Sequence, residues 1–231
     1  MTEYIINKKT YQLNLFDKLD YNSSYLIGYL AGDGGFNDRT HKRNSRLAVS
    51  SINEDFIQWV VTNYCPTTPY RSIIPINNKR NIITKNKSHI LILSSKFSPI
   101  FNKYGILSLK ANRKYVNISK KLFKEYLKGL IDADGYFSGG LRKDRNRLWL
   151  KFNITHQSID LLRSVQTLLN EVLNISSYIY TRSSENCIDL TISRIDDVKK
   201  LINWLLLDDN CPFYKKKQID YLLNVMGSDA S

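Results

Sequence analysis

Two aspartates, Asp33 and Asp134, occupy equivalent places in two matching segments, residues 25–36 and 126–137, at an offset of 134 − 33 = 101. Each reads as the last turn of a helix that ends at a glycine, Gly34 or Gly135. An acid there faces the negative end of the helix dipole, which disfavours it by about 0.3–1 kcal/mol. The same unfavourable choice is made twice, and a bound cation would reverse its sign. Two carboxylates at adjacent helix ends form an oxygen-rich site suited to Mg²⁺. The plainer alternative is that each aspartate caps the turn that follows it.

The elements that must position these acids are legible behind them. Gly28 and Gly32 lie one helical turn apart, as do Gly129 and Ala133. Glycine inside a helix costs about 0.5–1 kcal/mol relative to alanine, so two such stripes ask for a reason. A stripe without side chains lets helix backbones approach closely. The two helices are therefore expected to pack on each other about a pseudo-two-fold axis.

The surrounding pattern repeats as well, with Arg46-Leu47 matching Arg147-Leu148 at the same offset, 147 − 46 = 101. Basic hairpins are expected over residues 36–51 and 136–155. Amphipathic helices follow near Glu54–Tyr64 and Ser158–Leu173, where apolar residues recur at helical spacing. A second strand pair comes near Tyr70–Ile76 with His89–Leu93, and near Ser177–Thr181 with Cys187–Ile192. Helices near Phe97–Tyr104 and Asp196–Leu206 close each unit. The unit is αββαββα, present twice. Residues 1–105 form one half, 106–119 a basic linker without clear structure, and 120–231 the other half. The tail Gly227–Ser231 is expected to be disordered.

Bulk composition narrows the partner. Lys and Arg number 34 against 21 Asp and Glu, a net charge of +13, which points to a polyanion. The basic residues do not gather on one amphipathic helix, which disfavours a membrane surface. No apolar run approaches the ~18 residues of a membrane span. The first residues lack the apolar core and small-residue cleavage site of a secretory signal. Three widely spaced cysteines, Cys65, Cys187 and Cys211, fit neither a disulfide framework nor a zinc site. An intracellular, reducing location is expected, in cytoplasm or an organelle matrix.

Residues 127–135 match the LAGLIDADG signature with one change, Lys128 for alanine, and residues 26–34 are a looser copy with the same penultimate acid. The chain resembles the single-chain, double-motif LAGLIDADG homing endonucleases. The resemblance implies an α+β fold of two pseudo-symmetric αββαββα halves, packed through the motif helices and forming a β-sheet saddle for double-stranded DNA. It implies that Asp33 and Asp134 bind the divalent metal, with the carbonyls of Gly32 and Ala133 assisting. Mg²⁺ is the expected cofactor, and Ca²⁺ is expected to occupy the site with little turnover. A lysine follows the last helix of each half in this family, which points to Lys110 and Lys217, with Lys215 and Lys216 as alternatives. Ser51 and His156 fall near the metal-site periphery. The sixth motif position is Ala31 in one copy and Asp132 in the other, which is not read as inactivating.

The resemblance implies phosphodiester hydrolysis, with water attacking phosphorus in line and the 3′ oxygen leaving. DNA would be read by strands, since a two-stranded ribbon fits the major groove. The candidate contacts are Arg39, Lys42, Arg43, Arg46, Arg71, Lys79 and Arg80 in the first half. In the second they are Arg142, Lys143, Arg145, Arg147, Lys151, Tyr180 and Arg182. A monomer covering a pseudo-palindrome of about 20 base pairs is expected. Two other readings fit the same scaffold, an intron RNA maturase and a DNA-binding regulator without catalysis. Only the endonuclease requires both acids.

Overall fold

A computed structural model of the 231-residue chain describes residues 4–6, 9–36, 47–74, 76–77, 82–83, 87–106, 109–142, 147–182 and 187–228. The first half opens with an antiparallel ribbon, β1 (Tyr4–Ile6) with β2 (Lys9–Tyr11), and helix α1 (Tyr21–Asp33). Strands β3 (Gly35–Phe36) and β4 (Leu47–Ser51) precede helix α2 (Glu54–Tyr64). Strand β5 (Arg71–Ile73), a small ribbon of β6 (Ile76–Asn77) with β7 (Ile82–Ile83), strand β8 (Ser88–Ile92) and helix α3 (Ser98–Lys103) complete it. The second half runs α4 (Phe123–Asp134), β9 (Gly135–Arg142), β10 (Arg147–His156), α5 (Ile159–Leu173), β11 (Tyr178–Thr181), β12 (Ile188–Ile192), α6 (Ile195–Leu206) and α7 (Lys216–Ser228).

The expected α+β architecture of two αββαββα halves is present. The sheet orders are β3-β4-β8-β5 and β11-β12-β10-β9, antiparallel throughout and equivalent strand for strand. Alternation along the strands explains where the core sits. Leu47, Val49 and Leu91 of the first sheet, and Phe152, Ile154, Leu190 and Ile192 of the second, are buried against helices. Helix α2 lies on β4 and β8, α5 on β11 and β12, and α6 on β10. Local signals set the helix starts. Asp20 and Ser23 form a reciprocal capping box on α1, Asn53 caps α2, and Ser158 caps α5 through the Leu161 N–H. Helix α5 ends at Asn174, which adopts φ 48°, a left-handed conformation asparagine tolerates.

Three regions depart from the sequence expectation. Helix α7 extends the second half beyond Leu206 and packs along β9, with Ile219 fully buried and the Gln218 amide donating to the Phe137 carbonyl at 3.1 Å. The backbone of Gly227 and Ser228, expected in a disordered tail, belongs to this helix. The stretch between the halves is not a bare tether: Lys110–Asn112 form a 3₁₀ turn and Arg113 is 2% exposed. No disulfide joins the three cysteines, and no helix among the described residues is long and apolar enough to cross a membrane.

Candidate active site at the helix pair

Helices α1 and α4 meet through the expected stripes. A Cβ at Gly28 would lie 1.9 Å from the Tyr126 carbonyl oxygen, and one at Gly129 would lie 2.0 Å from that of Tyr25. Tyr25 and Tyr126 are themselves equivalent positions, so the contact is reciprocal, as an internal two-fold requires. Further along, a Cβ at Gly32 would fall 2.5 Å from the Ala133 side chain and 3.2 Å from the Asp134 carboxyl. The two helix ends thus converge at the acids. Gly34 and Gly135 end the helices with negative φ, so left-handed backbone is not their reason. Instead, a Cβ at Gly34 would lie 2.4 Å from the Leu30 carbonyl oxygen.

Asp33 and Asp134 end α1 and α4 and are mostly buried. Burial pushes the Asp33 carboxyl up to about 6, and the Asp134 charge adds to the shift. Lys110, Arg113 and Lys215 oppose it. Burial also raises Asp134, against the pull of Lys110 and Arg113. The Lys110 ammonium stands 3.0 Å from both oxygens of Asp134 but is aligned to donate to Oδ1. Asp134 Oδ2 is buried without a hydrogen-bond partner. The Lys110 ammonium neutralises this oxygen without hydrogen-bonding to it, which leaves its lone pairs unused. Two crowded acids, one with an oxygen that makes no hydrogen bond, fit a divalent metal, with further oxygens from backbone or substrate. Among the described residues, no group of three or more His, Cys, Asp or Glu side chains gathers as a self-contained metal cage.

Each acid is faced by a lysine of the other half. Lys110, from the stretch after the first half, reaches Asp134. Lys215, just before α7, lines one cleft with Asp33 and a second with Asp134. Lys217 lies on α7, exposed, and does not line either cleft. Of the three lysines allowed by the sequence, the structure brings Lys215 to the acids.

Arg113, which the sequence did not single out, holds the site together with Asp132 and His156. Arg113 donates from Nη1 to the carbonyls of Ala31 (2.8 Å) and Gly32 (3.0 Å), and from Nη2 to that of Gly34. A buried cation thereby satisfies the orphan carbonyls and the negative dipole end of α1. It also takes one lone pair of the Gly32 carbonyl expected to assist the metal, leaving the other. Asp132 accepts the Tyr25 hydroxyl at 2.7 Å and the N–H groups of Tyr214 (2.9 Å) and Lys215 (2.7 Å). Burial pushes its carboxyl up to about 6 despite these donors. His156 accepts the Ser158 N–H at Nδ1 (2.9 Å), so Nε2 carries the proton and donates to the Ala31 carbonyl at 3.0 Å. Burial lowers this imidazole to about 4, so it is neutral at physiological pH. Ser51 and His156 occupy equivalent strand ends beside the two clefts.

Of the expected DNA contacts, Arg71 and Tyr180 are exposed, and Lys151 and Arg182 are partly exposed. The Lys151 ammonium stands 6.0 Å from the Tyr180 ring centre, and Arg182 Nε donates to Asp189 at 2.8 Å. Arg142 and Arg147 pair across the β9–β10 end. Arg39, Lys42, Arg43, Arg46, Lys79, Arg80, Lys143 and Arg145 lie outside the described residues.

Residues 127–225 match the family model of the LAGLIDADG endonucleases. The chain is 26% identical over 178 residues to the probable intron-encoded endonuclease Cox1-I1b of Schizosaccharomyces pombe (strain 972 / ATCC 24843), covering 76% of this chain and 42% of that one. The chain thus spans less than half the length of this curated relative. Among solved structures, I-SmaMI bound to uncleaved DNA target in the presence of calcium ions aligns with TM-score 0.58 and 14% identity, over 86% of this chain and 87% of that one. I-GzeII in complex with its DNA target aligns with TM-score 0.56 and 12% identity, over 88% of each chain. Mesophilic variants of the homing endonuclease I-DmoI align with TM-score 0.54 and 16% identity, over 86% of this chain and 96% of theirs. At these identities the structural likeness shows the fold.

Proposed function

We propose that the chain is a site-specific endonuclease of the LAGLIDADG type that hydrolyses both strands of a long pseudo-palindromic DNA duplex, working as a monomer. The observation that carries this reading is the convergence of Asp33 and Asp134 at the end of one close helix pair, each faced by a lysine of the other half. A regulator without catalysis has no use for two buried, mutually repelling acids.

The two carboxylates, with the Ala133 carbonyl and the remaining lone pair of Gly32, would hold a divalent ion, with Mg²⁺ suited to such oxygens. Bound there, the ion supplies Lewis acidity and charge neutralisation at the scissile phosphates. The remaining work belongs to the chain. Lys110 and Lys215 place ammonium groups where negative charge grows on the phosphate oxygens in the transition state. Water attacks phosphorus in line, and the 3′ oxygen leaves. Arg113 and His156 fix the end of α1, and with it Asp33. His156, neutral and with its proton committed to the Ala31 carbonyl, positions the site and shuttles no proton.

The test is selection of cleaved sites from a random duplex library with Mg²⁺, read on denaturing gels with both strands labelled. A consensus of about 20 base pairs cut on both strands is expected. Binding of structured intron RNA without any cut duplex would support the maturase instead.

A further inference from the structure

The two sheets are equivalent in register and opposite in chemistry. The pair Ala48–Ile92 of the first sheet occupies the place of Asn153–Thr191 in the second, and Ser50–Ile90 that of Thr155–Asp189. On the outer strands, Arg71 opposes Ile90 as Tyr180 opposes Asp189. One rung on, Ile73 opposes Ser88 where the Arg182 N–H donates to Cys187. On β4, β8, β10 and β12 these residues alternate with core positions, and their partners on β5 and β11 lie opposite them in register, so they share the sheet face turned away from the helices. That face adjoins the acids: Ser50 and Ser88 line the cleft of Asp33, and Thr155 lines that of Asp134.

On the second sheet this face is a fastened polar network. Asp189 accepts from Thr155 at 2.5 Å and from Arg182 at 2.8 Å, and Thr191 donates to Asn153 at 2.6 Å. On the first sheet the matching positions are Ala48, Ser50, Ile90, Ile92 and Ile73, the last 45% exposed, with Arg71 and Ser88 beside them. The apolar patch of Ala48, Ile90, Ile92 and Ile73 offers base edges no hydrogen bond. Set against G·C, it would strip water from donors and acceptors without replacing it. The apolar feature of the major groove is the thymine 5-methyl group.

We propose that the first half reads its inner base pairs through thymine methyls, whereas the second half reads by hydrogen bonds from a preset Arg182 and its neighbours. The inference rests on the endonuclease reading above. The target is then chemically lopsided: A·T-rich beside the scission site on the side of the first half, and mixed on the other.

The test uses the full chain and its selected target. Arg182→Ala should relax base preference in one half-site, which marks that half as the second. Thymines are then replaced by deoxyuridine one half-site at a time, which removes the methyl and keeps base pairing, and affinity is measured in Ca²⁺. Substitution in the first half-site should weaken binding about fourfold per methyl lost, and in the second by less than about twofold. Ile90→Ala with Ile92→Ala should make the first half-site insensitive to deoxyuridine. G·C at the inner first-half positions, or equal sensitivity of the two half-sites, would overturn the inference and leave the endonuclease reading intact. A library without any cleaved consensus would overturn both.

Discussion

A carboxyl moved from 3.8 to about 6 costs about 3 kcal/mol of stability once it is ionised in the metal-free protein. Asp33 is such a group. Its folded-state value lies above the unfolded one, so the folded chain holds the proton more tightly and loses stability as pH rises from about 4 to 6. Asp33→Asn removes the charge and should raise the melting temperature of metal-free protein, with a gap that opens across that window and is level above it. Thermal melts of both proteins from pH 4 to 8 check this, and a gap independent of pH would contradict it. The same substitution, or Asp134→Asn, should abolish double-strand cleavage and leave DNA binding in Ca²⁺ within a few-fold of wild type. Labelled strands on denaturing gels also show whether one half can still nick alone. Loss of folding in either variant would make these acids structural caps.

At the scale of elements, α4 does more than face α1. Lys128 and Asp132, one turn apart, both grip the chain that follows α6. Lys128 is 1% exposed and donates to the Asp208 carbonyl at 2.9 Å, while Lys124 pairs with the Asp208 carboxylate. Asp132 holds the N–H groups of Tyr214 and Lys215. The one departure from the signature in the second motif is thus half of a clamp that presents Lys215 to the site. Lys128→Met keeps the stem and loses the head. It should cost about 1–3 kcal/mol in denaturant unfolding and lower kcat, with Kd for DNA in Ca²⁺ unchanged. Gly28→Ala should also be costly despite better helix propensity, because the new methyl meets backbone that cannot step aside; about 1–3 kcal/mol is expected by the same measurement. These positions also show what a sequence can reveal. The glycine stripes and the acids are legible because they recur within a helical turn and again in the repeat. Arg113 is not, since its partners Ala31, Gly32 and Gly34 lie 79 to 82 residues away and leave no periodic trace. The choice of Lys215 over Lys217 depends on the fold of one turn before α7. Helix α7 carries a signal of its own, with Ile219, Leu222, Leu223 and Met226 at helical spacing behind a run of lysines.

The whole molecule is a strongly basic body whose two bare helix faces are each filled by the other. Neither of these two stripes is left for a second copy, so sedimentation should find one chain per target duplex. With a net charge of +13 and many expected phosphate contacts, log K should fall by about five or more per tenfold rise in salt. A slope of one or two would rule out an extensive backbone grip. The stretch proposed as a linker, residues 106–119, has a wider consequence. Through Lys110 it touches the acid of the second half, through Arg113 it seals the helix of the first, and the Arg113 carbonyl accepts the Ser158 hydroxyl at 2.6 Å. It is a keystone shared by both sides. Anyone grafting one half onto a foreign partner to retarget such a protein must therefore choose a splice point that carries residues 110–113 along with a compatible Ala31–Gly34 and Ser158, because no cut through this stretch yields two interchangeable modules.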